Sequence, residues 1–189
     1  MSMSEQRYFS IRTFNRTFFD AMYMIAKYRK YLKKIDKKFK SSIMLVVTNV
    51  NGCRLCSHHH TSELLKSGAS NIELKALIEG NFGEVDPYQV KALLFAEHYA
   101  DVTGDYDSNA FDTIKQYYGN EIAIGILASI KLIMFGNMNG ISLGNILNRV
   151  RFKKISNSRF FTDIYNGIIA YLLVPIMIFI NLFRSRIEY

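Results

Sequence analysis

Apolar residues recur at helical spacing along most of the chain and nowhere alternate over a strand's length, so the pattern predicts helices and no sheet. Phe9, Phe14, Phe18, Met22 and Ile25 place a first helix over roughly Arg7 to Tyr31. The run Ile43 to Val47 is β-branched enough for a strand, but with no partner strand it reads as part of a buried helix. Gly52 interrupts the pattern, and a helix then runs to Lys66 or Ser67, with Gly68 as its C-terminal stop. Ser70 with Glu73 forms a capping box for a helix ending near Gly80. Asp86, Pro87 and Gln89 suit the cap, first and third positions of another, which reaches Val102 and is closed by Gly104. A helix from Ser108 to Tyr118 stops at Gly119, and Glu121 to Arg149 reads as two helices joined around Phe135 to Gly140. Short helices on short loops make the class all-α.

The last element differs in kind. Ile164 to Phe183, IYNGIIAYLLVPIMIFINLF, carries no charge and at about 1.5 Å per residue is long enough to cross the ~30 Å hydrocarbon of a bilayer. Asn166, Pro175 and Asn181 weaken insertion and suit a helix at an oligomer interface, so residues 160–186 are expected to be either a membrane anchor or an interface helix. If 164–183 spans, the basic residues before it outweigh Arg184 and Arg186 after it and place the main domain on the cytoplasmic side. The polar segment Lys153 to Arg159 separates this element from a helical domain over residues 7–150.

Composition narrows the class. The chain has 189 residues, 49% of them hydrophobic, with 11 Gly and 2 Pro, which suits one compact domain and excludes a disordered or collagen-like chain. The net charge of +8 is concentrated between Lys27 and Lys40, where Asp36 is the single acid, and this stretch is expected to form a lysine-rich face. Arg149, Arg151, Lys153, Lys154 and Arg159 form a second cluster. Lysine rather than arginine dominates the first, and no helix-turn-helix or stacking platform accompanies it, so a lipid surface fits better than nucleic acid. The N-terminal MSMSEQRYFS has no apolar core of a signal peptide, so the expected setting is cytoplasmic and reducing.

The candidate chemistry lies in Asn51-Gly52-Cys53-Arg54-Leu55-Cys56-Ser57-His58-His59-His60, which contains both cysteines of the chain. On a helix starting near Gly52, Cys53, Cys56 and His60 share one face. A helix N-terminus, a neighbouring thiol and an imidazolium one turn on all favour a thiolate. Such a thiolate can attack a peroxide to give a sulfenic acid, which the adjacent cysteine converts to a disulfide while His60 donates a proton. Ser57 after the second cysteine excludes c-type haem attachment. Zinc would need further ligands from another segment, where His98 stands alone, and two inert buried cysteines beside surface histidines are the remaining alternative.

Asn51, Gly52, Cys53, Cys56, His60 and Gly68 together resemble the Cys-x-x-Cys-x-x-x-His motif of the alkylhydroperoxidase D-like, carboxymuconolactone decarboxylase superfamily. The resemblance extends loosely through the helix from Pro87 and the segment FGNMNGISLGNILNR, covering roughly Phe9 to Arg149. It implies a single all-α domain of that type, a homo-oligomer, and peroxidase or thiol-disulfide reductase activity with a hydroperoxide substrate and a dithiol reductant. By the same resemblance Cys56 is the attacking thiol, Cys53 the resolving thiol that exchanges with the reductant, and His60 the proton relay. Two positions depart from it: Ser41 stands where peroxidase members carry a Glu, and Arg54 and Leu55 stand between the cysteines where they carry a His.

The resulting expectation is an antioxidant oxidoreductase with catalytic Cys53, Cys56 and His60, using neither cofactor nor metal. A membrane-associated interaction protein that keeps the fold without catalysis, and a lactone decarboxylase-type enzyme, are the alternatives.

Overall fold

The computed structural model describes residues 5–155, 157–169, 171–176 and 179. Among them are eight α-helices and no strand: α1 Ile11–Leu32, α2 Lys37–Asn51, α3 Arg54–Lys66, α4 Asn71–Glu79, α5 Pro87–Asp101, α6 Ser108–Tyr118, α7 Asn120–Val150 and α8 Phe160–Ile164. A 3-10 turn, Phe82–Glu84, precedes α5, and a π turn, Tyr165–Ile169, follows α8. The all-α class is thus as expected, and the polar side chains chosen as caps do cap. Ser70 Oγ accepts from Glu73 N (3.1 Å) and Asp86 Oδ1 from Tyr88 N (2.9 Å), each meeting one of the donors that a helix start leaves unpaired.

The first helix starts later than Arg7 because Ser10 caps it, accepting from Thr13 N at 3.2 Å. The residues before the cap run extended, and Arg7 N donates to Asn51 O (3.1 Å). This strap crosses directly over Gly52, where a Cβ would lie 2.7 Å from Gln6 Cα. Gly52 also sits at φ +69, so both the close approach and the left-handed backbone require glycine there.

Helix α7 is the hub on which α1, α2, α3, α5, α6 and α8 pack. It is one continuous helix rather than the two expected. Asn137 and Asn139, within the segment where a join was expected, engage neighbours sideways. Asn137 Oδ1 accepts from Thr48 Oγ1 (3.0 Å) on α2, and Asn139 Nδ2 donates to Asn166 O (2.7 Å). Packing on all sides then outweighs the helix cost of about 1 kcal/mol for each of Gly136 and Gly140. Among the described residues α7 is the one helix long and apolar enough to cross a membrane, and 61% of its most apolar stretch is buried inside the protein.

Two further expectations change. Lys27 to Lys40 is not one basic face: it spans the end of α1, a turn and the start of α2. Lys34 pairs with Glu121, Lys37 with Glu63 (2.8 Å) and Lys38 with Glu73 (2.8 Å). The uncharged tail is not a uniform helix from Ile164. Its first residues form the π turn, with Asn166 and Gly167 buried against α7, where Asn139 Nδ2 takes the carbonyls of both. The rest of the 164–183 segment, apart from 171–176 and 179, and the flanking Arg184 and Arg186 lie outside the described residues.

Candidate functional site

The cysteine pair sits where α2 ends and α3 begins. Thr48 O, in the last turn of α2, accepts from both Gly52 N (3.0 Å) and Cys53 N (3.3 Å), so the chain reverses within two residues. Cys53 then acts as the cap of α3, and its Sγ accepts from Cys56 N at 3.4 Å. One turn of helix carries Cys56 back over Cys53. The two Sγ atoms are bonded at 2.13 Å, with Cα atoms 5.4 Å apart.

The two sulfurs differ in access and in electrostatics. Cys53 is 1% exposed, whereas Cys56 is half-buried. The helix N–H that the pair receives goes to Cys53, so negative charge developing there is stabilised by a hydrogen bond and by the helix terminus.

Behind the disulfide runs α7. A Cβ on Gly140 would lie 2.7 Å from Cys56 Sγ and 3.0 Å from Cys53 Sγ, so the sulfurs rest on bare backbone. One turn earlier, Gly136 O is 3.8 Å from Cys56 Sγ, placed to accept from the reduced thiol. Beneath the reversal is a buried polar layer: Thr48 with Asn137, and Asn51 Nδ2 donating to Met134 Sδ (3.2 Å). Asn51 Oδ1 and Asn137 Nδ2 have no partner, which leaves unused hydrogen-bonding capacity in that layer. Gly136, Gly140, Thr48 and Asn137 were not singled out from sequence. The recurrence of Gly136, Gly140 and Gly144 at helical spacing was the available signal, because it marks a helix stripe that another backbone or a bulky atom can approach.

His60 follows Cys56 by one turn of α3 and is half-buried. Burial lowers its pKa to about 4; the neighbouring His59 adds to the shift and Glu63 opposes it. At neutral pH the imidazole is therefore uncharged in the disulfide form. His58 and His59 are exposed. Glu63 is held well below the usual carboxylate range by Lys37 and Lys66, and its 2.8 Å pair with Lys37 ties α3 to the start of α2. Ser41, at the position of the missing carboxylate, is buried on α2. Among the described residues no three His, Cys, Asp or Glu side chains cluster to hold a metal.

Residues 16–82 match the model of the carboxymuconolactone decarboxylase family. The matched stretch runs from within α1 to the 3-10 turn and contains the whole motif from Asn51 to Gly68, so the resemblance read there holds for this segment. Helices α5 to α8 lie beyond it, although α7 supplies the back wall of the site. Comparison with curated proteins gives no match.

Proposed function

Taking as premise that the cysteine pair lies in a carboxymuconolactone decarboxylase family segment, we propose that the protein is a dithiol oxidoreductase that reduces hydroperoxides or disulfides. The observation that carries this reading is the asymmetry of the pair: one reachable sulfur, Cys56, bonded to one enclosed and electrostatically favoured sulfur, Cys53.

In the reductive half, an external dithiol attacks Cys56 Sγ. The Cys53–Cys56 bond breaks and Cys53 leaves as a thiolate held by Cys56 N–H. The second thiol of the donor then attacks the mixed disulfide, releasing Cys56 and the oxidised donor. Exchange with the reductant therefore falls to Cys56, because an enclosed Cys53 offers no approach to a donor. In the oxidative half, Cys56 attacks the distal oxygen of a hydroperoxide and the O–O bond breaks. Cys56 becomes a sulfenic acid, and the alcohol leaves with the thiol proton, passed through neutral His60. Cys53 then condenses with the sulfenic acid, restoring the disulfide and releasing water. With Ser41 in place of a carboxylate, the relay has no carboxylate to take the proton onward from His60. Disulfide exchange, which needs less proton transfer, is accordingly the faster activity. The pair works in a reducing, cytoplasmic setting that keeps the donor reduced.

Hydroperoxide consumption with a dithiol donor tests the mechanism. Cys56→Ser is expected to lower it by at least 100-fold, and equal rates for variant and wild type would overturn the reading.

A further inference from the structure

The end of α7 and the start of α8 form a corner that the redox reading does not use. Helix α7 closes with Phe152 N donating to Arg149 O (3.0 Å) and Lys153 N to Asn148 O (2.9 Å). This closure puts Phe152 at φ +53, in the left-handed region where glycine is the unpenalised choice. The ring gains nothing in return from the fold, since Phe152 is 97% exposed. After the loop, Phe161 is 83% exposed, and Ile168 and Leu172 further on are exposed as well.

The same corner is basic. Arg151, Lys153, Lys154 and Arg159 are exposed, and no acid occurs between Arg149 and Phe161. The next acid in sequence, Asp163, is buried and committed to Arg149 (2.6 Å), Asn145 (3.1 Å) and Ser158, and Glu5, which meets the loop at Asn157 Nδ2 (3.4 Å), is one acid against these four cations. The Asp163 contacts clasp α8 to the last turn of α7, and the Arg149 guanidinium lies 5.6 Å from the Phe160 ring, so both apolar tips belong to one rigid corner. Lys34, Lys37 and Lys38, by contrast, are matched by acids.

We propose that this corner docks the protein peripherally on anionic bilayers. Phe152 and Phe161 enter the boundary between headgroups and acyl chains, while Arg151, Lys153, Lys154 and Arg159 engage lipid phosphates and carboxylates. Charge decides against a second copy as the occupant, because a symmetric contact would set two basic corners against each other. Asn166 and Gly167, early in the uncharged tail, are held inside the protein by α7, so the corner presents its aromatic tips and cations independently of them.

Flotation of the full chain with phosphatidylcholine vesicles, with and without phosphatidylserine, is the test. Binding is expected with phosphatidylserine, falling as salt is raised, at roughly fivefold in partitioning per cation engaged. Phe152→Gly combined with Phe161→Ser should lower partitioning at least ~10-fold. The Phe152→Gly change relieves the backbone, so the variant folds, which an unchanged helical circular dichroism spectrum checks. The Cys53→Ser, Cys56→Ser double variant should bind as wild type does, which separates this result from failure of the redox reading. The proposal is overturned by equal binding to both vesicle types, by no binding, or by no effect of the aromatic substitutions. Self-association that those substitutions abolish without any vesicle binding would assign the corner to a second copy.

Discussion

The α2–α3 junction and the α7–α8 corner both end a helix with a residue in the left-handed region, and they resolve it in opposite ways. At the junction Gly52 takes the conformation without strain. The space above it is filled by the strap through Glu5 and Gln6, and the sulfurs that follow are laid on Gly140. At the corner Phe152 takes a left-handed conformation against its preference and projects into solvent among exposed cations. Closeness on one side creates a controlled environment for two reactive atoms, while openness on the other creates a surface. The junction should therefore respond to changes of a single methyl group, and the corner should respond to loss of charge or of an exposed ring while the core stays intact.

The largest effect outside the cysteines is expected at the foundation of the α7–α8 corner. Asp163→Ala leaves Arg149 and Asn145 facing a vacated, nearly buried position, and should destabilise the protein by about 3 kcal/mol. Chemical denaturation measures this, and a loss near zero would show that α8 is not clasped to α7. Gly140→Ala is next. Its Cβ competes with both sulfurs, so the disulfide form should lose about 1–2 kcal/mol relative to the dithiol, a rise in reduction potential of ~20–40 mV. Equilibration with a glutathione buffer reads that shift. The same substitution at Gly144, where nothing lies within 4 Å, should leave the potential unchanged.

Thr48→Val is of similar size. It removes the bond to Asn137 Oδ1 while Asn137 Nδ2 is already unpartnered, and should cost about 1–2 kcal/mol by thermal or chemical unfolding. The smallest effect concerns pH. His60 has a folded pKa of about 4 against an ordinary 6.5, so the unfolded chain binds the proton first as pH falls. Stability is full above pH 6.5, declines between 6.5 and 4, and is flat in this respect below 4. Discounted for partial exposure, the decline is about 1 kcal/mol, and His60→Gln should remove it.

Much of the fold was legible because local chemistry decides it. Ser70, Asp86, Gly80 and Gly119 mark helix ends through caps and left-handed stops that no distant contact alters. The motif around Cys53, Cys56 and His60 was legible for the same reason, being confined to one helix start. What escaped was set by distant partners. The segment Phe135 to Gly140 reads as a join until Thr48 and Asn166 supply lateral hydrogen bonds to Asn137 and Asn139, and α7 runs through it unbroken. Gly140 reads only as the edge of that join, and its role appears when the disulfide is seen against it. The burial that lowers the His60 pKa in the disulfide form is set by tertiary packing, and the Lys27 to Lys40 stretch reads as one lysine-rich face until Glu121, Glu63 and Glu73 arrive from three other helices to pair Lys34, Lys37 and Lys38.

The central claim is that Cys53 and Cys56 cycle between dithiol and disulfide, with Cys56 as the sulfur that meets other molecules. Reduced full-length protein treated with a small excess of hydroperoxide, blocked with an alkylating reagent and analysed by peptide mass spectrometry tests it most directly. The account predicts an intramolecular Cys53–Cys56 disulfide in wild type. It also predicts a sulfenic acid or donor adduct on Cys56 alone when Cys53 is replaced by Ser. Two alkylated cysteines after peroxide treatment, or an adduct that forms on Cys53 in preference to Cys56, would contradict it.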